Sequence, residues 1–402
     1  MTASTEVSFA ARRTGDARLI GSVSAAHFIS HFYLLVLPPL FIFVREDYGV
    51  SYTELGLAFA VLNGISALLQ THAGILIDRI NARLALVAGI VLGAGALMVA
   101  ALVNSFWVLI AMFAVLGVAN TVYHPADYAL LSRHVAPERM SRAYSVHSFA
   151  GMVGSAATPG CVLYLHSLFG WRGAFLGAAA FGVVIAVVLL FQPDGPEHPT
   201  AKPREGASTD TNWRLLLSAP ILMNFLFFLL LAFKGFGLQN FSVVALGALY
   251  GTSPVTANAA LTGYLILSAL GVLIGGVIAG RFTNHRFAVS LGMLITAITV
   301  VLIGTVDLGA LLLIAVLSIS GLCSGVVSPS RDLIVREVTP PGAFGKVFGF
   351  VTNGFNIAGI VAPLLFGALL DHGAPRAMFF VIAGFALISI VAVVSVPKRP
   401  AA

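Results

Sequence analysis

The chain has 402 residues, of which 58% are hydrophobic and 9% are charged, and its formal net charge is +6 at pH 7. Charged residues make up about 25% of an ordinary soluble domain, so this composition excludes a water-soluble globular protein. Lipid offers the backbone no hydrogen-bond partner, and long apolar runs therefore predict membrane-spanning helices rather than the alternating strands of a barrel.

Apolar runs of about 20 residues, the length that crosses a hydrocarbon layer of about 30 Å, recur along the whole chain. The first set predicts helices near 19–44, 51–77, 83–103, 106–132, 141–168 and 171–191. The second set predicts helices near 215–249, 254–279, 287–306, 308–334, 342–370 and 376–396. The sequence thus predicts an all-α integral membrane protein with twelve transmembrane helices.

Residues 192–213, between the two sets, are rich in proline and charged side chains and cannot bury themselves. They predict a flexible cytoplasmic linker between an N-terminal half, 1–191, and a C-terminal half, 214–402. Of the 22 Lys and Arg residues, Lys234 and Arg331 lie at membrane depth, and all others but Arg45, Arg172 and Arg376 lie on one side. The positive-inside rule then places both termini in the cytoplasm, in a multi-pass protein of the cell inner membrane surrounded by lipid. Because topology explains the positive charge, no nucleic-acid partner is predicted.

An internal repeat relates the two halves. Four pairs of similar residues, one member in each half, are each 204 positions apart in the sequence. They are Gly117 and Gly321, Pro125 and Pro329, Arg142 and Lys346, and Pro159 and Pro363. Such repeats are expected of transporters whose halves rock about a central site near the bilayer midplane. The repeat predicts two pseudo-symmetric six-helix halves.

The segment from Gly74 to Arg83 reads Gly-Ile-Leu-Ile-Asp-Arg-Ile-Asn-Ala-Arg and resembles the signature loop of the major facilitator superfamily. Within that family, Tyr123-His124-Pro125 and the segment around His27 and His31 resemble the fosmidomycin-resistance-like branch. Helix 1 of that branch tends to carry an acidic or amide residue after the histidine, whereas this chain has aromatic and aliphatic residues. The resemblance implies the major facilitator fold and a transport function, and it carries over no substrate.

The resemblance also implies a gating role for the loop. Asp78 would contact the positive N-terminal end of the predicted helix that starts near Gly342, with Arg79 and Arg83 as further gating candidates. Alternatively, the three are solvated loop charges that obey the positive-inside rule. The segment 74–79 matches the segment 276–281 at an offset that is two residues shorter than that of the repeat, so Gly280 stands in place of Asp78 and the mirror contact is expected to be weak or absent.

Ionisable side chains at membrane depth each cost about 2.5 kcal/mol or more unless they are paired or hydrated, and they therefore mark candidate sites. His27 and His31 lie four residues apart, on one helical face. With His124 and His147 they are predicted to bind substrate or the coupling proton. The alternatives are neutral histidines hydrogen-bonded inside the bundle, or a transition-metal site; no metal site and no cofactor is predicted.

Lys234 lies inside a predicted helix without a nearby acidic residue in sequence. Gly235 and Gly237 weaken the helix there, as in the discontinuous helices from which transporters bind ligands. Lys234 could instead pair with a carboxylate of another helix or extend to the headgroups. Polar residues of the same helix and of the eleventh helix complete the substrate-binding candidates: Gln239, Asn240, Asn353 and Asn356. Asn353 and Asn356 could equally form hydrogen bonds between helices.

Asp127 and Arg331 are related by the repeat offset and are predicted to form a breakable ion pair between the halves. In the alternative, each extends separately to the headgroups. Asp332 could pair with Arg331 only by leaving its own helical face.

The sequence contains no Gly-x-x-x-x-Gly-Lys-Ser/Thr loop, so ATP hydrolysis is excluded and proton coupling is expected. We therefore predict a monomeric secondary transporter, not an enzyme, that moves a small organic, anionic or amphiphilic solute by alternating access. The alternative is an exporter of drugs or toxic compounds that exchanges them for protons. More remote alternatives are a metal-ion transporter, a passive channel and an intramembrane enzyme.

Overall fold

The computed structural model describes residues 3–77, 79–136, 139–192, 213–340 and 343–395. Within these ranges the chain is helical, and the helices run in the order α1 Ala3–Leu34, α2 Phe41–Tyr48, α3 Tyr52–Ile77, α4 Ala82–Leu102, α5 Phe106–His134, α6 Met140–Leu190 and α7 Trp213–Leu216. The order continues with α8 Ala219–Phe236, α9 Ser242–Tyr250, α10 Pro254–Arg281, α11 His285–Thr305, α12 Gly309–Val338, α13 Phe344–Asp371 and α14 Pro375–Val394. The predicted all-α fold is confirmed.

Eleven helical stretches of the described residues are long and apolar enough to cross a membrane. One of them, Arg142–Leu190, has 49 residues and is two helices joined at Gly170. Gly170 has φ 70° and ψ 176°, a backbone conformation that glycine adopts without a side-chain clash. Divided at Gly170, the eleven stretches become the twelve transmembrane helices that the sequence predicts.

Two predicted helices are interrupted in the structure. The one predicted over 19–44 ends at Leu34, and a short 3₁₀ turn over Pro38–Leu40 precedes α2, because proline lacks the amide hydrogen that a continuous helix needs. The helix predicted over 215–249 breaks before Ala219 and contains a π-helical turn at Gly237–Phe241. This turn is the irregularity expected from the glycines after Lys234.

The chain divides into two compact units. The first contains Met1–Leu40 and Ile65–Lys202, and the second contains Phe41–Gly64 and Pro203–Ala402. The sequence analysis placed a single boundary in the linker, whereas the structure groups 41–64 with the later part of the chain. Most of the predicted linker, and both Asp78 and Gly342 of the predicted latch, lie outside the described residues.

Contacts between α3 and α13 explain why residues 41–64 belong to the second unit. The Asp371 carboxylate, at the end of α13, accepts hydrogen bonds from the backbone N–H groups of Tyr52 and Thr53 at 2.7 and 2.8 Å and from the Thr53 hydroxyl at 2.5 Å. A carboxylate at a helix N-terminus satisfies free N–H groups and complements the helix dipole. Gly56 lies against the backbone of Pro363, so the two helices approach closely.

The second unit is held by a close crossing of α10 and α12. A methyl group added at Gly321 would overlap the backbone carbonyl of Tyr264, and one added at Gly325 would overlap that of Ser268. Gly271, on the facing side of α10, lies against the backbone of Leu322 in the same way. Small residues allow such approaches between membrane helices, where van der Waals packing replaces the hydrophobic effect as the source of association.

The crossing of α10 and α12 predicts a position-specific cost for alanine. Gly325→Ala forces a Cβ atom onto the Ser268 carbonyl, a rigid backbone group, and we expect it to lower the free energy of unfolding by about 1–3 kcal/mol. Gly276→Ala is the matched control, because a Cβ on that face of α10 meets open space. Thermal unfolding of both variants in detergent measures the difference, and equal losses would show that the crossing is not the cause.

Candidate functional site

Four histidines that are distant in sequence come together in the first unit. His27 of α1, His124 of α5 and His147 of α6 each offer a ring nitrogen, and these atoms all lie within 4.8 Å of one another. His31 adjoins them, with ring centroids 4.6 Å from His27 and 6.1 Å from His124. The sequence analysis singled out each of these residues, and the structure shows that they form one group.

Asp127 lies beside two members of this group. It is fully buried, and its Oδ2 atom is 3.2 Å from His27 Nδ1 and 3.7 Å from His147 Nε2. We call His27, His124, His147 and Asp127 the histidine–aspartate cluster. The sequence analysis missed the link between Asp127 and the histidines, although the three-residue spacing from His124 places both on one face of α5 and could have indicated it.

The polar atoms of the cluster are poorly satisfied by hydrogen bonds. Among the described residues, neither carboxylate oxygen of Asp127 and neither ring nitrogen of His147 has a hydrogen-bond partner, and His27 Nδ1 has none either. The distances to Asp127 are those of ion pairs, without hydrogen-bond geometry. His31 differs, because its Nδ1 atom lies 3.3 Å from the hydroxyl of Ser155. The cluster therefore brings nitrogen and oxygen atoms together, most of them buried, without hydrogen bonds between them.

Glycines of α6 bring α1 close enough to form the cluster. A methyl group at Gly154 would overlap the backbone carbonyl of Phe28, and one at Gly151 would lie 2.6 Å from the His27 ring. The rings of His27 and His147 stack with centroids 3.8 Å apart. Tyr128 closes the group on α5, with ring centroids 6.4 Å from His124 and 5.5 Å from His147.

Lys234 forms a second buried polar centre, in the second unit. It is 3% exposed, and its Nζ atom donates a hydrogen bond to the Ser324 hydroxyl of α12 at 2.7 Å. The Tyr264 hydroxyl of α10 lies 3.4 Å from the same oxygen, and the Gln239 side chain is hydrogen-bonded to Tyr264. Among the described residues, no carboxylate lies at ion-pair distance from Lys234. Sequence reasoning missed Ser324 and Tyr264, because single hydroxyl residues are common in apolar helices.

The predicted asparagine candidates make local contacts. Asn240 is buried within the π-helical turn and donates to the backbone carbonyl of Phe236 at 3.1 Å. Asn356 donates to the side-chain oxygen of Asn353 at 3.1 Å. These contacts leave open whether the asparagines bind substrate, and that role stays a prediction.

Arg331 pairs with its neighbour in sequence. Its Nε atom lies 2.8 Å from Asp332 Oδ1, and its guanidinium lies 4.6 Å from the centroid of Phe228 and 5.6 Å from that of Phe355. The sequence analysis expected Asp332 to reach Arg331 only by leaving its helical face, and the structure shows that the two side chains meet. The predicted pair of Asp127 and Arg331 joins residues of different units and stays a prediction.

Two loop residues of the predicted latch are described. Arg79 is exposed, whereas Arg83 is 7% exposed and donates a hydrogen bond to the backbone carbonyl of Gln192. Arg83 is therefore not a solvated loop charge. Its burial at the start of α4 shows that this part of the loop is packed against the end of α6.

Comparison with known proteins identifies the family. The family model of the Major Facilitator Superfamily matches residues 23–250 and 227–402. The probable sulfoacetate transporter SauU of Cupriavidus necator is 25% identical over 95% of this chain and 93% of its own length. The fosmidomycin resistance protein of Escherichia coli is 22% identical over 91% of this chain and 90% of its own length. The resemblance predicted from the sequence is confirmed.

The solved structures agree on the fold. A bacterial homologue of the human lysosomal transporter Spinster superimposes with a TM-score of 0.78, over 96% of this chain and 99% of that protein, at 14% sequence identity. At that identity the likeness shows the fold alone. Family match, helix count and fold lead to the same conclusion: this chain belongs to the Major Facilitator Superfamily and is a multi-pass membrane transporter of that family.

Proposed function

We propose that this transporter moves a small organic anion across the inner membrane by alternating access, with protons as the coupling ion. The observation that carries the proposal is Lys234, a cation that is 3% exposed in a membrane-spanning helix and lacks a carboxylate partner among the described residues. Such a charge costs roughly 2.5–3.5 kcal/mol at the centre of a bilayer, so its retention calls for a function.

The surroundings of Lys234 suit a negatively charged group. The Ser324 hydroxyl donates to the Ser320 carbonyl at 2.9 Å and therefore accepts from Lys234. An ammonium has three N–H donors, and Ser324 uses one of them. The remaining donors, with the Gln239 amide nearby, offer a carboxylate or sulfonate a cationic and hydrogen-bonding site. The π-helical turn that begins three residues after Lys234 is a common feature of functional sites.

The comparisons support the same substrate class. SauU, whose name describes a probable sulfoacetate transporter, is similar over nearly the whole chain. The similarity to a fosmidomycin resistance protein favours a second candidate, the export of a drug or toxic compound in exchange for protons. The two candidates differ in the solute and in the direction of transport.

Replacement of Lys234 tests the anion site. Lys234→Met removes the charge and keeps the length of the apolar chain, and we expect it to weaken anion binding more than tenfold. Lys234→Arg keeps the charge with a different donor geometry and should retain part of the affinity with altered selectivity. The measurement is uptake of radiolabelled sulfoacetate, and competition by a panel of small carboxylates and sulfonates, in proteoliposomes.

Two further variants sharpen this experiment. Ser324→Ala removes the hydroxyl that holds the ammonium and is expected to give a smaller loss than Lys234→Met. Arg336→Met removes an exposed cation of the same unit that lies outside the site, and we expect uptake to be unchanged. If Lys234→Met takes up and binds the anion as tightly as the parent protein, Lys234 is a structural residue and the anion proposal fails.

The coupling ion is tested with gradients alone. We expect an imposed proton gradient to concentrate the anion inside proteoliposomes of the parent protein, because the sequence contains no loop for hydrolysing ATP. Addition of a protonophore should abolish the accumulation but leave exchange of labelled for unlabelled anion intact. Accumulation that follows a sodium gradient and ignores the proton gradient would contradict proton coupling. The sign of the gradient that drives accumulation also separates uptake from export.

A further inference from the structure

The histidine–aspartate cluster presents the donor set of a metal site. Histidine nitrogen and carboxylate oxygen are ligands of Zn²⁺ and related transition metals, and three histidines with one carboxylate complete a four-coordinate shell. The three histidine atoms lie within 4.8 Å of one another, and Asp127 lies beside two of them. We propose that His27, His124, His147 and Asp127 bind one divalent transition-metal ion, with Zn²⁺ as the best match.

Two of the donor spacings, both from Asp127, are close to those around a tetrahedral ion. Metal–ligand bonds of about 2.0–2.2 Å give a tetrahedron whose ligand atoms are about 3.4 Å apart. The distances from Asp127 Oδ2 to His27 Nδ1 and His147 Nε2, 3.2 and 3.7 Å, lie on either side of that value. The rings of His27 and His147 stack and must rotate for a nitrogen of each to point at one ion, and His124, whose ring centroid is 5.0 Å from that of His27, must approach them. It is also the least buried of the three histidines and lies next to Tyr128.

The unsatisfied atoms are the second argument. A buried polar atom without a partner costs about 1–3 kcal/mol, and more when it is charged. Five atoms of the cluster have no hydrogen-bond partner among the described residues: both oxygens of Asp127, both ring nitrogens of His147 and Nδ1 of His27. A cation at the point where they converge would satisfy one atom of each residue and balance the carboxylate charge. One hydrogen bond between a histidine and Asp127 would leave the other nitrogens unpaired.

The cluster is complete within the first unit. Its ligands come from α1, α5 and α6, and the close contact of α1 with α6 at Gly151 and Gly154 holds two of these helices together. No residue of the second unit is required. The inference therefore goes beyond the proposed function and does not depend on which solute is carried.

Cobalt is the probe of choice, because tetrahedral Co²⁺ absorbs strongly in the visible range and reports its ligand geometry. We expect detergent-purified protein, prepared with an affinity tag free of histidine, to bind one equivalent of Co²⁺ with a tetrahedral spectrum. Zn²⁺ should displace it with tighter affinity, because a d¹⁰ ion loses no ligand-field stabilisation in a tetrahedral site. Equilibrium titration monitored by absorbance gives both the stoichiometry and the affinity.

Variants assign the ligands. His124→Gln and Asp127→Asn should each weaken Co²⁺ binding more than tenfold. His372→Gln is the matched control, since His372 is an exposed histidine outside the cluster, and its binding should equal that of the parent protein. His124→Cys replaces one zinc ligand by another and should keep the metal while adding thiolate-to-cobalt charge-transfer bands, which a folding defect could not produce.

Two results would overturn the inference. One is the absence of saturable Co²⁺ and Zn²⁺ binding in a parent protein that shows a single peak in size-exclusion chromatography. The other is unchanged affinity in both His124→Gln and Asp127→Asn. Anion uptake is measured on the same preparations, so a failed metal titration with intact, Lys234-dependent uptake rejects the metal site and leaves the proposed function standing.

Discussion

Both buried polar centres depend on close helix contacts at glycines that leave no room for a Cβ atom. In the first unit, Gly151 and Gly154 let α6 approach α1 until the rings of His27 and His147 stack. In the second unit, Gly321 and Gly325 let α12 approach α10, which brings the Tyr264 hydroxyl to Ser324. In lipid, helices gain no hydrophobic advantage from associating, so contact between backbones through small residues supplies much of the stabilisation. The same crossings thereby fix the positions of the polar side chains.

The two centres have opposite chemical character. The first places histidine nitrogens around a buried carboxylate, whereas the second places a buried ammonium next to a hydroxyl that accepts its hydrogen bond. Among the described residues, Lys234 has no carboxylate at ion-pair distance, and Asp127 has only histidines, which carry a counter-charge only when they are protonated. Ionisable groups that are retained at membrane depth without such a partner mark ion or substrate pathways. We propose a cation as the ligand of the first centre and an anion as the ligand of the second, because each would balance the charge buried there.

The contact of α13 with α3 shows how a charge outside these centres shapes the second unit. Asp371 caps the first turn of α3, and Gly56 packs against the backbone of Pro363. The cap satisfies N–H groups that otherwise have no partner within the helix. This explains why residues 41–64 group with a part of the chain some 300 residues later in sequence.

The sequence by itself determined the class of protein, the number of transmembrane helices and the candidate functional residues. Composition and run length are sufficient for these, because lipid permits only structures that satisfy every backbone group internally. The candidate residues His27, His124, His147 and Lys234 followed from the same rule, since an ionisable side chain is conspicuous in an apolar helix.

Only the tertiary structure decided which of these residues meet. The repeat offset suggested Arg331 as the partner of Asp127, but within its own unit Asp127 lies beside histidines from two other helices. Ser324 and Tyr264 carried no signal in the sequence, and Arg331 pairs with the adjacent Asp332. Helical periodicity fixes the face on which a side chain lies, whereas its neighbours are set by the rotation and crossing of whole helices. Those depend on glycine contacts spread over the chain, and no local pattern contains them.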